Sequence, residues 1–289
     1  MPLAEPGPDE VTIALVSSGP GRWDLAERSG GLDVPFPRLL GWQGAGVIAR
    51  VGANVSDLKV GDEVVAYLPM FGFYAREVTV PRACVARAPR SIPLEDAGAL
   101  LIGAATAREA LVDVAGVSPG QTVLVTAAAG ATGMHAVRLA KHLGAHVVGT
   151  ASERSLDFVR GLGADEAYAY DADAPADAPA AVRSRHPDGV DVLLDNVSPA
   201  NFALHAPLVR PGGHAVGTHE PHPPAPDGVS GRLITSWTYA DRFAEVVDLV
   251  YQGVLTVSIV ERFGWSDAEA AHDWLRRAPG RGNILLVPD

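Results

Sequence analysis

Apolar runs and helical periodicity alternate through the middle of the chain. Thr122 to Thr126 is a Val-rich run bounded by polar residues, the pattern of a strand buried on both faces. Ala127 to Gly133, all small residues, makes a tight turn. A helical pattern follows, with Met134, Val137 and Leu143 on related faces and Gly144 just past its end. A second apolar run, His146 to Thr150, closes a βαβ unit. Further strands are predicted near 166–170, 190–195, 213–217 and 232–237, interleaved with helices, which is the doubly wound parallel pattern.

The first third of the chain reads differently. Residues 11–16, 45–52, 62–68 and 75–88 have short strand patterns, and Ser17 to Gly31 read as a loop with a short helix. Pro93 begins an apolar helix toward Gly103, and a second helix runs up to Val112. Near the end, Phe243, Val246, Val247 and Val250 fall at i, i+3, i+4, i+7 in a helix predicted over Ala240–Tyr251, stopped by Gly253. Ser266-Asp267-Ala268-Glu269 reads as a capping box for the last helix. The closing apolar run from Asn283 to Pro288 reads as a strand returning to the first region. The expectation is α/β: a dinucleotide-binding domain over 106–236, and a mainly β catalytic domain from 1–105 with 237–289.

The turn between the first strand and helix of the βαβ unit carries the chemistry. Gly130 and Gly133 match the last two glycines of G-x-G-x-x-G, with Ala128 where the first would stand. Backbone N–H groups and a helix N-terminus can there approach a pyrophosphate. Five segments together resemble the medium-chain dehydrogenase/reductase superfamily, in its zinc-free quinone oxidoreductase branch: the A-A-x-G-x-x-G turn, Leu40 to Ile48 (LGWQGAGVI), Lys59 to Val64 (KVGDEV), Gly189 to Asp195 (GVDVLLD) and Arg210 to Gly213 (RPGG). The resemblance runs from about Glu5 to the C-terminus. It implies a Rossmann sheet plus a GroES-like barrel. Two opening barrel strands of the family have no counterpart here, which predicts an exposed barrel edge.

Composition narrows the class. A hydrophobic fraction of 47% and a charged fraction of 20% fit a soluble globular protein, and no apolar run approaches membrane-helix length. A single cysteine, Cys84, leaves no internal disulfide and no multi-cysteine zinc site. The acidic, Pro-rich N-terminus is unlike a signal peptide, so cytoplasmic residence is the default expectation. A net charge of −11 argues against nucleic-acid binding.

The second strand of the βαβ unit ends at Thr150, and Ala151 stands where an acid would bond NAD ribose hydroxyls; Ser152 and Arg154 follow, which suits the 2′-phosphate of NADPH. The resemblance adds Tyr170 as a further contact to that phosphate. The expected cofactor residues are Thr126, Ala129, Gly130, Ala131, Thr132, Gly133, Ser152, Arg154, Tyr170, Asn196, Gly217, Thr218 and Asn283. Where zinc-dependent relatives carry a Gly-His-Glu, Trp42 and Gln43 replace the His and Glu, so no metal site is expected. Arg28-Ser29-Gly30 matches the family's R-S-G stretch, but Gly21 and Ala26 occupy the positions of its Asn and Tyr. Asp24 and Thr106 remain as catalytic candidates, and a structural role for each is an equal reading. Trp23, Trp42, Tyr67 and Phe71 are candidates for an apolar substrate pocket.

These readings converge on zinc-independent, NADPH-dependent hydride transfer to an apolar enone, alkene or quinone. The alternative is a non-redox member of the fold, a cyclase, an isomerase or an NADPH-binding protein acting on a polyketide-like metabolite. The resemblance implies a homodimer joined through the strand Arg232–Trp237, an apolar carbonyl compound as the small-molecule partner, and no nucleic-acid or membrane partner.

Overall fold

The computed structural model describes residues 5–32, 34–170, 177–220, 222–234, 242–277 and 281–289. The chain divides into two compact units, Met1–Ala105 with Ser236–Asp289, and Thr106–Thr235.

The first unit is built around β1 (Glu10–Ser18), followed by α1 (Arg22–Arg28), β2 (Gln43–Val51), β3 (Glu63–Tyr67), β4 (Glu77–Pro81), β5 (Val85–Arg87) and the short α2 (Leu94–Ala97). Val11, Ile13 and Leu15 alternate along β1 and pack with Ile48, Val64, Phe73, Val78 and Val80 into one core. On the opposite face Thr12 and Thr79, cross-strand partners, share a hydroxyl hydrogen bond of 2.9 Å. The predicted bare edge is not found at β1. It pairs with β2 along one side; on the other it pairs with β4 over Glu10–Ala14 and, at Ser18, with Leu286 near the C-terminus. Three antiparallel partners satisfy its backbone, so it needs no earlier strand beside it.

The first helix predicted from Pro93 toward Gly103 stops at Ala97; the second is α3 (Leu101–Arg108), which carries the chain into the second unit and widens into a π-helical turn, Glu109–Val114. There β6 (Thr122–Val125), α4 (Ala131–His142), β7 (His146–Ala151), α5 (Leu156–Gly161), β8 (Glu166–Ala169), α6 (Ala178–Arg185), β9 (Val190–Asp195), α7 (Pro199–His205), β10 (Val209–Gly217) and β11 (Ser230–Leu233) succeed one another. Their sheet runs β11-β10-β9-β6-β7-β8, with parallel pairing throughout. This is the doubly wound order, reversing between β6 and β9. Val123, Leu124 and Val125 are fully buried, as strands covered on both faces require. Of the sixth predicted strand, 230–233 is strand and 235–237 lies outside the described residues; so does the start of the helix predicted from Ala240, and 171–176 of the acidic connection after β8.

The chain then returns to the first unit as α8 (Phe243–Tyr251), β12 (Ile259–Gly264), α9 (Ala268–Arg277) and β13 (Asn283–Val287). The capping box expected at Ser266 is diverted: its hydroxyl donates to the Asp289 carboxylate at 2.7 Å, and a 3-10 turn over Trp265–Asp267 leads into α9. Among the described residues no helix is long and apolar enough to cross a membrane.

Candidate functional site

The carboxyl ends of the parallel strands gather most of the expected cofactor residues within the second unit. β6 ends at Val125, and the chain turns through Thr126 and Ala127, the latter held at φ +47, to Gly130, the N-cap of α4. The turn is closed by Gly130 N–H donating to Ala127 O at 2.9 Å, and Ala128 N–H donating to Thr150 O at 2.8 Å ties it to β7. Gly133 sits on the first turn of α4, where a Cβ would stand 2.1 Å from Ala127 O. Gly149 on β7 is restricted likewise, since a Cβ there would meet Val159 at 2.7 Å and the Ala128 methyl at 3.0 Å. The helix therefore packs directly on the turn, and its amino end is presented to a ligand above the sheet. Ala129, Ala131 and Thr132 lie along that presented stretch.

Asp195, which the sequence reading left out of the site, organises the neighbouring strand ends. Its carboxylate accepts from the Thr126 hydroxyl at 2.7 Å, from the Ser198 N–H at 3.3 Å and from the Asn201 amide. The Asn196 N–H in turn donates to Thr126 Oγ1 at 3.0 Å, and the Thr218 hydroxyl donates to Asp195 O at 3.3 Å. Thr126 thus has its hydroxyl engaged as donor and acceptor, which makes it a tie between β6 and β9. Asn196 keeps a buried carboxamide oxygen with no hydrogen-bond partner among the described residues. Gly217, at the end of β10, faces His222, whose ring a Cβ would approach to 2.9 Å. The signal that could have drawn attention to Asp195 is an acid ending an otherwise apolar buried strand, VDVLLD.

The ends of β7 and β8 meet side by side. Ala151 is the buried last residue of β7, and its carbonyl accepts from the Tyr170 N–H at 3.1 Å. Ser152 is also buried; its hydroxyl shares a 3.0 Å hydrogen bond with the Ser155 hydroxyl in the 3-10 turn Glu153–Ser155. Arg154 is exposed and forms no ion pair among the described residues, and Tyr170 is 51% exposed. The glycine cradle and the Asn196 oxygen fit a dinucleotide: N–H groups of 130–133 for the pyrophosphate and Asn196 for a polar edge. Of the other candidates, Thr106 is buried within α3, and Asn283 belongs to the first unit, where its N–H donates to Ser258 O at 2.7 Å.

In the first unit the residues standing where zinc-dependent relatives place ligands have other partners. The Trp42 indole N–H donates to Glu27 Oε2 at 2.6 Å. The Gln43 amide bridges two backbone groups, accepting from Ile102 N–H at 3.0 Å and donating to Gly19 O at 3.3 Å. An indole and a backbone-locked amide are no ligand set for zinc. Of the pocket candidates, Trp23 lies with its ring centroid 6.3 Å from that of Trp42, Tyr67 is buried edge-on against Phe243, and Phe71 is 46% exposed.

Asp24 is completely buried on α1, and its Oδ2 accepts from the Gly21 N–H at 2.8 Å. Burial pushes its carboxyl up to about 7, against the steadying Gly21 N–H and with the help of the neighbouring Glu27 charge. Glu27 is itself buried, 2.8 Å from the Arg38 guanidinium. Tyr74 lies between Asp24 and His272, whose Nε2 is 3.1 Å from the Tyr74 hydroxyl. Burial and the charges of Arg28 and Arg276 lower His272 to about 4. Asp24 is in this way one member of a sealed polar group at the base of the Ser17–Gly30 segment.

Comparison with known proteins agrees with both units. Residues 7–90 match the family model for the alcohol dehydrogenase GroES-like domain, and residues 131–250 match the one described as zinc-binding dehydrogenase. The 2-haloacrylate reductase of a Burkholderia species is 31% identical over 99% of this chain and 93% of its own length. The chloroplastic quinone-oxidoreductase of Triphysaria versicolor is 29% identical over 100% of this chain and 92% of its own. A solved quinone oxidoreductase from Pseudomonas syringae superposes with a TM-score of 0.89 at 29% identity, covering 100% of this chain and 94% of that one. With a Rossmann sheet, a GroES-like unit and no ligand set at the zinc positions, the chain belongs to the medium-chain dehydrogenase/reductase superfamily, in its zinc-free quinone oxidoreductase-like branch, a family of nicotinamide-dependent oxidoreductases.

Proposed function

We propose that this chain is an NADPH-dependent, zinc-independent reductase that adds hydride to the electron-poor carbon of an apolar enone, alkene or quinone. The observation that carries the cofactor choice is the end of β7: Ala151 where an acid would bond a ribose, then an exposed Arg154, beside Tyr170. The acceptors named in the two reductase relatives, a haloacrylate and a quinone, share a carbon–carbon double bond conjugated to a carbonyl group, which supports that substrate class.

The cofactor, when bound, supplies the hydride. The chain's part is to bind and orient. Gly133 lets the amino end of α4 approach the pyrophosphate, Arg154 and Ser152 take the 2′-phosphate, and Asp195 fixes the strand ends that carry Asn196 and Thr218. With Ala26 where the family's Tyr stands, and Asp24 wholly buried with one oxygen on Gly21, the proton comes from solvent and the enolate is met by backbone N–H groups or water.

Paired titrations with NADPH and NADH, and a turnover screen of enones, acrylates and quinones followed by NADPH absorbance, test this reading. Preference for NADPH with consumption dependent on such an acceptor, unchanged by chelators, is expected. Equal affinity for both cofactors removes the NADPH assignment, and no consumption with any acceptor removes the reductase.

A further inference from the structure

At the amino ends of β7 and β8, opposite the strand ends that carry the expected cofactor residues, His146, Glu166 and His186 bring three ligand atoms within 4.8 Å of one another. His146 opens β7, Glu166 opens the neighbouring β8, and His186 follows α6 directly. Glu166 Oε1 is the common point, 2.7 Å from His146 Nε2 and 3.2 Å from His186 Nε2. In a tetrahedral site with metal–ligand bonds near 2.0–2.1 Å, adjacent N and O ligands stand about 3.3 Å apart, so the His186 separation is already close and the His146 separation would open by about 0.6 Å.

The surroundings favour ligation over a simple hydrogen-bonded cluster. The Tyr168 hydroxyl donates to Glu166 Oε2, which leaves Oε1 turned to the two imidazoles. His146 Nδ1 faces Asp165 Oδ2 at 3.7 Å, and that carboxylate is held by the Lys141 ammonium at 2.8 Å and the Val147 N–H at 2.7 Å. That carboxylate stands on the Nδ1 side, where the outer acid of a metal-bound imidazole stands, though beyond direct hydrogen-bond reach. On the other side Nε2 and Oε1 share a 2.7 Å hydrogen bond whose place a cation would take. Two N–H groups sharing Oε1 would account for His146 alone: His186 Nε2 is sealed from solvent and, though close to Oε1, is not aligned for a hydrogen bond. Among the described residues the opposing cation near this oxygen is Arg185, whose Nε stands 3.9 Å from Oε1 and whose side chain is 72% exposed.

We propose that His146, Glu166 and His186 form a site for a divalent transition metal ion of zinc type, with a fourth position open to water. Two imidazoles with one carboxylate select zinc, nickel or copper over magnesium and calcium. The ion would join β7, the edge strand β8 and the segment after α6, a structural clamp outside the hydride chemistry.

Metal-stripped protein dialysed against Zn2+, with Mg2+ in excess, is expected to take up one ion per chain and to melt at a higher temperature with it. His146→Gln and His186→Gln should each weaken uptake about tenfold or more and abolish the thermal shift, with NADPH binding unchanged. Should a variant fold poorly, the wild type still decides: Co2+ should give the visible bands of nitrogen and oxygen ligation, and Zn2+ should protect the more exposed His146 from acylation, read by peptide mass spectrometry. No saturable uptake, uptake retained in both folded variants, cobalt–thiolate absorption from Cys84, or acylation indifferent to Zn2+ would each overturn the site.

Discussion

Replacing Asp24 by Asn isolates what a buried carboxyl does to this fold. The carboxyl has a folded-state value of about 7 against an ordinary 3.8, a rise of roughly three units, or about 4 kcal/mol at about 1.4 kcal/mol per unit. The folded state holds the proton more tightly than the unfolded chain. The contribution is therefore complete below pH 4, declines through the interval from 4 to 7, and is gone above it. Asparagine keeps the shape, its amide oxygen can accept the Gly21 N–H, and it has no charge to bury. The stability of Asp24→Asn minus that of the wild type, from urea melts at pH steps between 4 and 8, should rise with pH and level off above 7, approaching about 4 kcal/mol. Taking the difference matters, because His135, completely buried and lowered to about 3, gives an opposite slope: its contribution is present above 6.5 and fades as pH falls toward 3. Over most of 4 to 6.5 the two slopes oppose each other in the wild type, and subtraction removes the shared histidine. Turnover of the variant should stay within about tenfold, under about 1.4 kcal/mol of barrier. A difference that is flat or falls with pH would refute the buried-carboxyl reasoning; a several-hundredfold loss of turnover with fold and NADPH affinity intact would make Asp24 the proton donor.

Three other outcomes are expected. Arg154→Ala should weaken NADPH by roughly 1.5–3 kcal/mol in calorimetric titration and leave NADH nearly unchanged, since a charge-assisted contact is lost with only one of them; equal losses would remove Arg154 from the phosphate. Gly133→Val forces a side chain onto Ala127 O and should cost about 1–3 kcal/mol in denaturant melts together with cofactor affinity, and full affinity in that variant would mean α4 does not need its close approach. β11 is the outer strand of its sheet, and light scattering at micromolar concentration should give a dimer mass; a monomer counts against pairing through this edge.

The strand–turn–helix–strand of 122–151 is legible in the sequence because burial on both faces demands an uninterrupted apolar run and the close turn demands small residues. The same pattern marks the two strands to within a residue, while the helix begins at Ala131, inside the stretch 127–133 that reads as a turn. What the sequence conceals is any contact whose partner is far along the chain. Thr126 reads as a free hydroxyl at a strand end until Asp195, 69 positions later, takes it. Ser266 has the local grammar of a cap, and Asp289 claims its hydroxyl. His146, Glu166 and His186 lack any recognisable ligand spacing, since parallel pairing of β7 with β8 and the return of α6 are what bring them together. Asp24 has an ordinary exposed-helix look, and only its complete burial moves its titration.

The seam between Ser18 of β1 and Leu286 of β13 has a consequence for the order in which the chain matures. During synthesis the second unit, contiguous in sequence from 106 to 235, has every described strand of its sheet available before residues 236–289 have been added. The first unit does not. β1 precedes the second unit and meets β2 and β4 early, yet its Ser18 end stays open until residues 283–287 arrive. A stall or premature stop between 236 and 283 would therefore release a chain with a finished dinucleotide-binding half and an unsealed partner, the kind of product that quality-control proteases recognise by its open strand edge.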